Sequence, residues 1–177
     1  MKHFIVFAVL LFASMFIFSG LHAQINWTSF ANVTTKEKAD EKKVMVKIYS
    51  EECVWCKRME EKTFSEPRVI DYINTHFQAI ELDVAHKGQI LFNDKTYQPI
   101  KKGGKTYHEL AMEMTRGNLS FPAIVFLDEN MNIIQAISGF KEHELFLKIM
   151  TYFAQNHYKR TPWSEYQELN ANVSKGY

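Results

Sequence analysis

Cysteine is scarce in this chain: there are two in 177 residues, at positions 53 and 56. A small exported domain stapled by disulfides needs more of them, spread along the sequence. A bridge closing so short a loop removes little chain entropy, so chemistry accounts for the pair better than stability does. An excess of charge of either sign is also missing. Lys and Arg number 21, Asp and Glu 20, for a formal net charge of +1. That balance argues against nucleic acid or an acidic membrane surface as the main partner. The basic doublets Lys42–Lys43 and Lys101–Lys102 are short and read as solvated loops or element ends. There is no internal repeat and no low-complexity tract. What remains is an ordinary globular composition, 46% hydrophobic and 23% charged, with room for one full core rather than two.

The first residues differ from the rest. Met1-Lys2-His3 leads into an almost unbroken apolar run, Phe4 to Phe18, which Ser19-Gly20 interrupts before Leu21-His22-Ala23 and Gln24. This is the pattern of a secretory signal peptide cleaved after Ala23, which sends the protein out of the cytoplasm, in a bacterium to the periplasm. The apolar run is short for a membrane span, which wants roughly 20 residues. An uncleaved anchor is the other reading, and only then is a membrane a partner. No Cys follows the run, so no thiol is offered there for lipid attachment. Residues 1–23 hold Lys2 and no acid, which leaves 20 basic against 20 acidic residues beyond them. A domain over 24–160 and a tail over 161–177 are expected, the tail polar with Trp163 and Tyr166 and packed only in part.

Periodicity gives the order of elements. Residues 25–30 form an apolar-aromatic lead-in, and 32–43 read as a surface helix or a helix and a turn. Val44 to Tyr49 is apolar on nearly every residue except Lys47, as a strand covered on both faces should be. Good helix formers run from Cys53 to Lys62 without Gly or Pro. Ser65-Glu66-Pro67 opens a second helix to about His76, with Ser65 as its cap. Phe77 to Asp83 alternates as a strand. Residues 84–106 are an irregular insert, with a small hairpin over 90–97 and a loop at Gly103-Gly104. A short helix over 107–115 follows, then strands over 123–127 and 131–137, then an amphipathic helix over 141–155. The sum is an α/β fold: a central mixed β-sheet flanked by helices, with the insert between the second strand and the helix before Pro122.

Cys53-Val54-Trp55-Cys56 carries the chemistry. A thiolate, not a thiol, is the nucleophile, and an ordinary cysteine with pKa near ~8.5 needs help to ionise at neutral pH. The first turn of a helix supplies it through unpaired N–H groups and the helix dipole. The i, i+3 spacing puts Cys56 on the same face as Cys53. That suits two-step exchange, in which one sulfur attacks a disulfide and the other resolves the mixed disulfide. Structural zinc would need four ligands, and His86, His108 and His143 show no ligand spacing, so no metal and no other cofactor is expected. His108, beside Leu110 and Ala111, reads as packed rather than catalytic, and Met112 and Met114 as core or edge residues.

Cys-Val-Trp-Cys-Lys after Val-Met-Val-Lys-Ile-Tyr-Ser, with Phe121-Pro122-Ala123-Ile124-Val125-Phe126-Leu127-Asp128 downstream, resembles the thioredoxin superfamily. Cys56-Lys-Arg-Met-Glu-Glu-Lys-Thr-Phe64 with Val69 is similar to exported thioredoxin-related proteins, and to the periplasmic carboxy-terminal domain of a transmembrane thiol carrier. Phe92, Tyr107 to Ala111 and Trp163 to Tyr166 extend the likeness over nearly the whole chain beyond the leader. The resemblance implies a thioredoxin-like fold and a thiol–disulfide oxidoreductase, more a reductase than an oxidase. It makes Cys53 the attacking thiol, Cys56 the resolving one and Pro122 a cis-proline, although only ~5% of X–Pro bonds are cis. Phe121 would pair with an extended substrate segment by strand addition. Trp55 would stand exposed at the partner surface. The implied partners are protein or peptide thiols and disulfides, and a redox partner that supplies or accepts electrons.

Three positions depart from the family pattern. Val54-Trp55 replaces Gly-Pro between the cysteines, and Glu52 replaces an aromatic residue. Lys47 occupies the place of a buried acid that helps move the proton of the resolving thiol; it reads as snorkelling to water or as favouring nearby thiolate by charge. Two other classes fit the same pair: a peptide-binding module that keeps the fold without turnover, and a metal carrier that uses the two sulfurs.

Overall fold

The computed structural model describes residues 24–33 and 42–173. The expected leader over 1–23, and most of the polar stretch read as a helix over 32–43, lie outside them.

The most apolar strands build the centre. β2 (Lys43–Tyr49) lies between β3 (Phe77–Asp83), parallel to it, and β8 (Ala123–Leu127), antiparallel. β9 (Ile133–Ser138) pairs with the free side of β8, and the two-residue β1 (Trp27–Thr28) adds to β3. The five-stranded sheet thus runs β1-β3-β2-β8-β9 and is mixed. Helices cover both faces, as the apolar character of β2 and β8 requires: every residue of β8 is buried. Side chains alternate along it. Ile124 and Phe126 enter one apolar layer with Met45, Ile73 and Phe146, while Ala123, Val125 and Leu127 enter the other with Val46, Ile80 and Leu110.

The first layer is closed by α2 (Val54–Met59), α3 (Pro67–His76) and α5 (His143–Ala154). Phe153 of α5 stacks on Phe126 with ring centroids 4.4 Å apart. The terminal α6 (Trp163–Val173) continues this layer, its Tyr166 buried against Tyr152. The second layer is closed by the short α4 (Glu109–Met114), with Leu110, Ala111 and Met114 fully inside. A four-residue α1 (Phe30–Val33) places Phe30 in the same layer.

Several local expectations are corrected. The helix expected over 53–62 is regular only to Met59 and then widens into a five-residue π-helical segment, Glu60–Phe64. Ser65 does not cap the next helix. Its hydroxyl donates to Glu61 O at 2.7 Å, and extended Glu66 precedes Pro67 at the first helical position. Lys43 is not solvated: it is buried at the start of β2, with Nζ 2.6 Å from Glu129.

The insert contains two hairpins where one was expected. β4 (Ile90–Phe92) and β5 (Lys95–Tyr97) turn through Asn93 and Asp94, both with positive φ. β6 (Pro99–Lys102) and β7 (Lys105–His108) turn through Gly103 and Gly104, with φ of 60° and 77°. Two adjacent glycines satisfy a turn that needs positive φ at both positions, so the expected loop is a hairpin tip and Tyr107 belongs to a strand. His108 then caps α4, its Nδ1 accepting from Leu110 N–H.

Candidate active site

The strand–turn–helix unit that presents the cysteines is local in origin. β2 ends at Tyr49, and Cys53 N–H donates back to Ser50 O at 3.0 Å, closing a tight turn. Cys53 is extended (φ −79°, ψ 107°) and stands at the N-cap of α2. Its Sγ accepts the Cys56 backbone N–H at 3.0 Å, a first-turn donor that the Cys53 carbonyl shares at 3.1 Å. Cys53 and Cys56 are joined as a disulfide, with Cα atoms 5.2 Å apart. The two sulfurs differ in access. Cys53 is partly exposed, whereas Cys56 is turned inward and only 7% exposed. On reduction, the outer sulfur can meet a partner and can be held as thiolate by the N–H it already accepts. Cys56 is the more covered of the two and is bonded to Cys53.

A groove of about 700 Å³ opens beside Cys53. Phe121, Leu119 and Tyr107 give it an apolar side, and Glu51, Glu52, Asp83, Lys87 and Lys105 add charge. The Phe121–Pro122 peptide bond is cis. Pro122 is buried just before β8, and its carbonyl accepts the Gly139 N–H at 2.7 Å. Gly139 has φ +80°, a left-handed conformation suited to glycine, and delivers Phe140 to the other flank of the cysteines. There the Trp55 ring lies 6.0 Å from Phe140, with the Arg58 guanidinium over both. Val54 and Trp55 remain 74% and 55% exposed.

Of the residues singled out from the sequence, Cys53 and Cys56 are bonded and Phe121 shares the groove with Cys53. Trp55 lies outside that lining, against Phe140, and Pro122 is buried with its carbonyl bonded to Gly139. A separate cleft of about 500 Å³, between β9, α5 and α6, is lined mainly by apolar side chains and holds no thiol, imidazole or carboxylate. The groove beside Cys53, unlike that cleft, contains a cysteine of the disulfide.

Lys47 corrects an expectation. It does not snorkel: it is 4% exposed, ion-paired to Glu60 and Glu81, with Nζ 4.4 Å from the Trp27 ring centroid. Glu81 is its register partner on β3, and Glu60 lies one turn beyond Cys56. Sequence reasoning missed both acids. The signal was present in the β2–β3 register and in the i+4 relation of Glu60 to Cys56, but it needs the strand pairing to be read. His108 is fully buried, its Nε2 3.0 Å from Gly88 O, and burial pushes its pKa below the usual 6.5. It serves the insert rather than the groove. Among the described residues, no group of three or more His, Cys, Asp or Glu side chains could hold a metal ion. Nor is any helix among them long and apolar enough to cross a membrane.

Residues 30–154 match the family model of the thioredoxin-like domain. No curated protein matches the chain in sequence. Among solved structures, a thioredoxin-fold protein from Helicobacter pylori is similar, at 17% identity and TM-score 0.59, over 89% of this chain and 94% of that one. A thioredoxin from Thermus thermophilus aligns at 19% identity and TM-score 0.52, over 72% of this chain and 85% of that one. The oxidoreductase DsbH aligns at 16% identity and TM-score 0.51, over 75% and 86%. At these identities the likeness establishes the fold.

Proposed function

Because this chain belongs to the thioredoxin-like domain family, we propose that it is a thiol–disulfide oxidoreductase acting on protein or peptide partners outside the cytoplasm, in the reducing direction. The observation that carries the reading is the asymmetry of the Cys53–Cys56 pair, an accessible capping sulfur and a covered one three residues on. In the reduced protein the Cys53 thiolate attacks a partner disulfide. One partner sulfur leaves as a thiolate and takes up a proton. Cys56 then gives up its proton and attacks the mixed disulfide at Cys53. The second partner sulfur departs, and the Cys53–Cys56 bond re-forms. Two electrons pass to the partner, whose two sulfurs take up one proton from Cys56 and one from water, and a separate redox partner must restore the dithiol. Trp55 and Phe121 form the contact surface near the exchanging sulfur, Phe121 offering its backbone to an extended segment, while buried Pro122 fixes the cis bond that orients Phe121.

The apolar run and Ala23 boundary of the first residues support export, and the residue-level likeness to electron-delivering domains supports the direction. The test is exchange between the reduced protein and a peptide disulfide, followed by thiol release. Wild type should turn over and Cys53→Ser should not. A Cys53→Ser protein that keeps its biological role would favour a peptide-binding module instead. The equilibrium constant against glutathione decides direction. A potential near that of strong oxidants would reverse the assignment.

A further inference from the structure

The hairpin formed by β6 and β7 turns Tyr107 and His108 inward, but the charge towards its tip is one-sided. Between Pro99 and His108 it carries Lys101, Lys102 and Lys105 and no acid. Lys102 and Lys105 are register partners, directly opposite each other at the tip. Like charges so placed destabilise a hairpin. Neither is relieved: among the described residues, Lys87, Lys101, Lys102 and Lys105 make no ion pair. The nearest acid in sequence, Glu109, is turned to the Gln98 N–H at 3.0 Å.

The same hairpin borders the reactive sulfur. Lys105 and Tyr107 line the groove that contains Cys53, together with Lys87 from the start of the insert. Residues two apart on a strand share a face, so the Lys105 and Tyr107 face is also that of their register partners Lys102 and Ile100. The hairpin is anchored there by the His108 N–H, which donates to Val84 O at 2.7 Å. Glu51, Glu52 and Asp83 are the groove's acids, and no ion pair joins them to its lysines. Glu51 and Glu52 immediately precede Cys53, and Asp83 is engaged with the Ala85 N–H at 2.9 Å. The groove is therefore bipolar, with free cations on the insert side.

We propose that the β6–β7 hairpin is a cationic docking arm that selects disulfide partners carrying acidic side chains near the exchanging cysteine. This rests on the exchange reaction proposed above and adds its specificity. Lys102, Lys105 and Lys87 meet the acidic residues, Tyr107 and Phe121 meet the adjoining apolar part, and the segment is thereby drawn across Cys53 in one orientation. Long-range attraction of this kind raises the association rate and fades with salt.

The experiment compares two peptide disulfides identical except for two flanking residues, Asp in one and Lys in the other, with reduced full-length protein. In low salt, kcat/KM for the acidic peptide should exceed that for the basic one about tenfold, with the gap closing in high salt. In the double variant Lys102→Glu/Lys105→Glu the ratio should invert. The ratio is read within each protein, so a general loss of activity cannot imitate the inversion. Equal rates for the two peptides with wild type, or a ratio the double variant leaves in place, would overturn the docking arm. So would an unchanged ratio accompanied by variant-sensitive binding to phosphatidylglycerol vesicles, which would assign the lysines to a membrane. Bis(2-hydroxyethyl) disulfide, uncharged and small, is the separate control in wild type. Failure to reduce it would strike the exchange reaction itself, whereas reduction of it without peptide discrimination would strike only the arm.

Discussion

Lys47, buried in the middle of β2, is ion-paired to Glu60, which lies one helical turn beyond Cys56. A second carboxylate, Glu81, faces it from β3, and the Trp27, Tyr49 and Phe64 rings lie within 4.4–5.4 Å of its Nζ. The acids are partly exposed, at 47% and 35%, so water still serves them if the cation is lost. The stem of Lys47 has no such substitute. Lys47→Ala should cost about 2–4 kcal/mol through lost packing and a cavity. Lys47→Met should recover most of that, because a buried ion pair seldom outweighs a well-packed apolar side chain. Urea denaturation of the two variants measures the difference. Equal losses would mean that charge, not volume, holds this site.

His108 gives the fold a pH dependence of known sign. Burial is the main cause of its lowered pKa; the Gly88 carbonyl and Glu109 oppose the shift, and neighbouring His86, with rings 5.5 Å apart, adds to it. The folded state holds His108 neutral where the unfolded chain would protonate it at the usual 6.5. Its contribution is therefore complete above pH 6.5 and declines as pH falls below that value towards the lower folded-state pKa. Glu113, Glu129 and Glu144 shift downward from 4.5, mainly through hydrogen bonds to Lys95, Lys43 and Arg68, and their losses come at lower pH still. Denaturation midpoints measured from pH 8 to pH 5 should fall for wild type and stay nearly flat for His108→Gln. A parallel fall in both would place the sensitivity elsewhere.

Where the chemistry and the core were written in short-range pattern, the sequence could be read. The unbroken apolar stretches of β2 and β8 announced burial on both faces, and Cys53-Val54-Trp55-Cys56 after a strand announced a helix start. The Asn93-Asp94 turn was legible for the same reason. Lys43 and Lys47 were not, because their burial depends on Glu129, Glu81 and Glu60, which lie far away in sequence or on the other side of a turn. The second hairpin was hidden because Lys101 and Lys102 look like a solvated end until β7 is laid against β6. The cis bond at Pro122 could not come from pattern, since trans is the default; only the family resemblance implied it.

Trp55 tests whether the flank opposite the insert takes part in recognition. Its ring is half exposed and leans on Phe140 and Arg58, so little core depends on it. Trp55→Ala should lower kcat/KM for a folded protein disulfide five- to tenfold, about 1.0–1.4 kcal/mol, while the denaturation midpoint barely moves. Reduction of a small uncharged disulfide should lose less than twofold, since such a substrate does not span the flank. A loss shared equally by large and small substrates would make Trp55 a support for the cysteine turn rather than a contact.

Removing the inner sulfur gives the most direct look at the order of events. With Cys56→Ala, the sulfur at Cys53 keeps its cap position and the Cys56 N–H it accepts, because that donor belongs to the backbone. Attack on a partner disulfide should proceed, but nothing remains to release the captured chain. Mixed disulfides should accumulate, visible as reductant-sensitive bands of higher mass in non-reducing gels from the expressing cells. Adding Cys53→Ser should abolish them, because the reactive cap is then gone. Bands that persist through the second substitution would require a thiol this chain does not possess. An empty lane with Cys56→Ala alone, in a protein shown to be folded, would mean that the exposed sulfur never engages a partner.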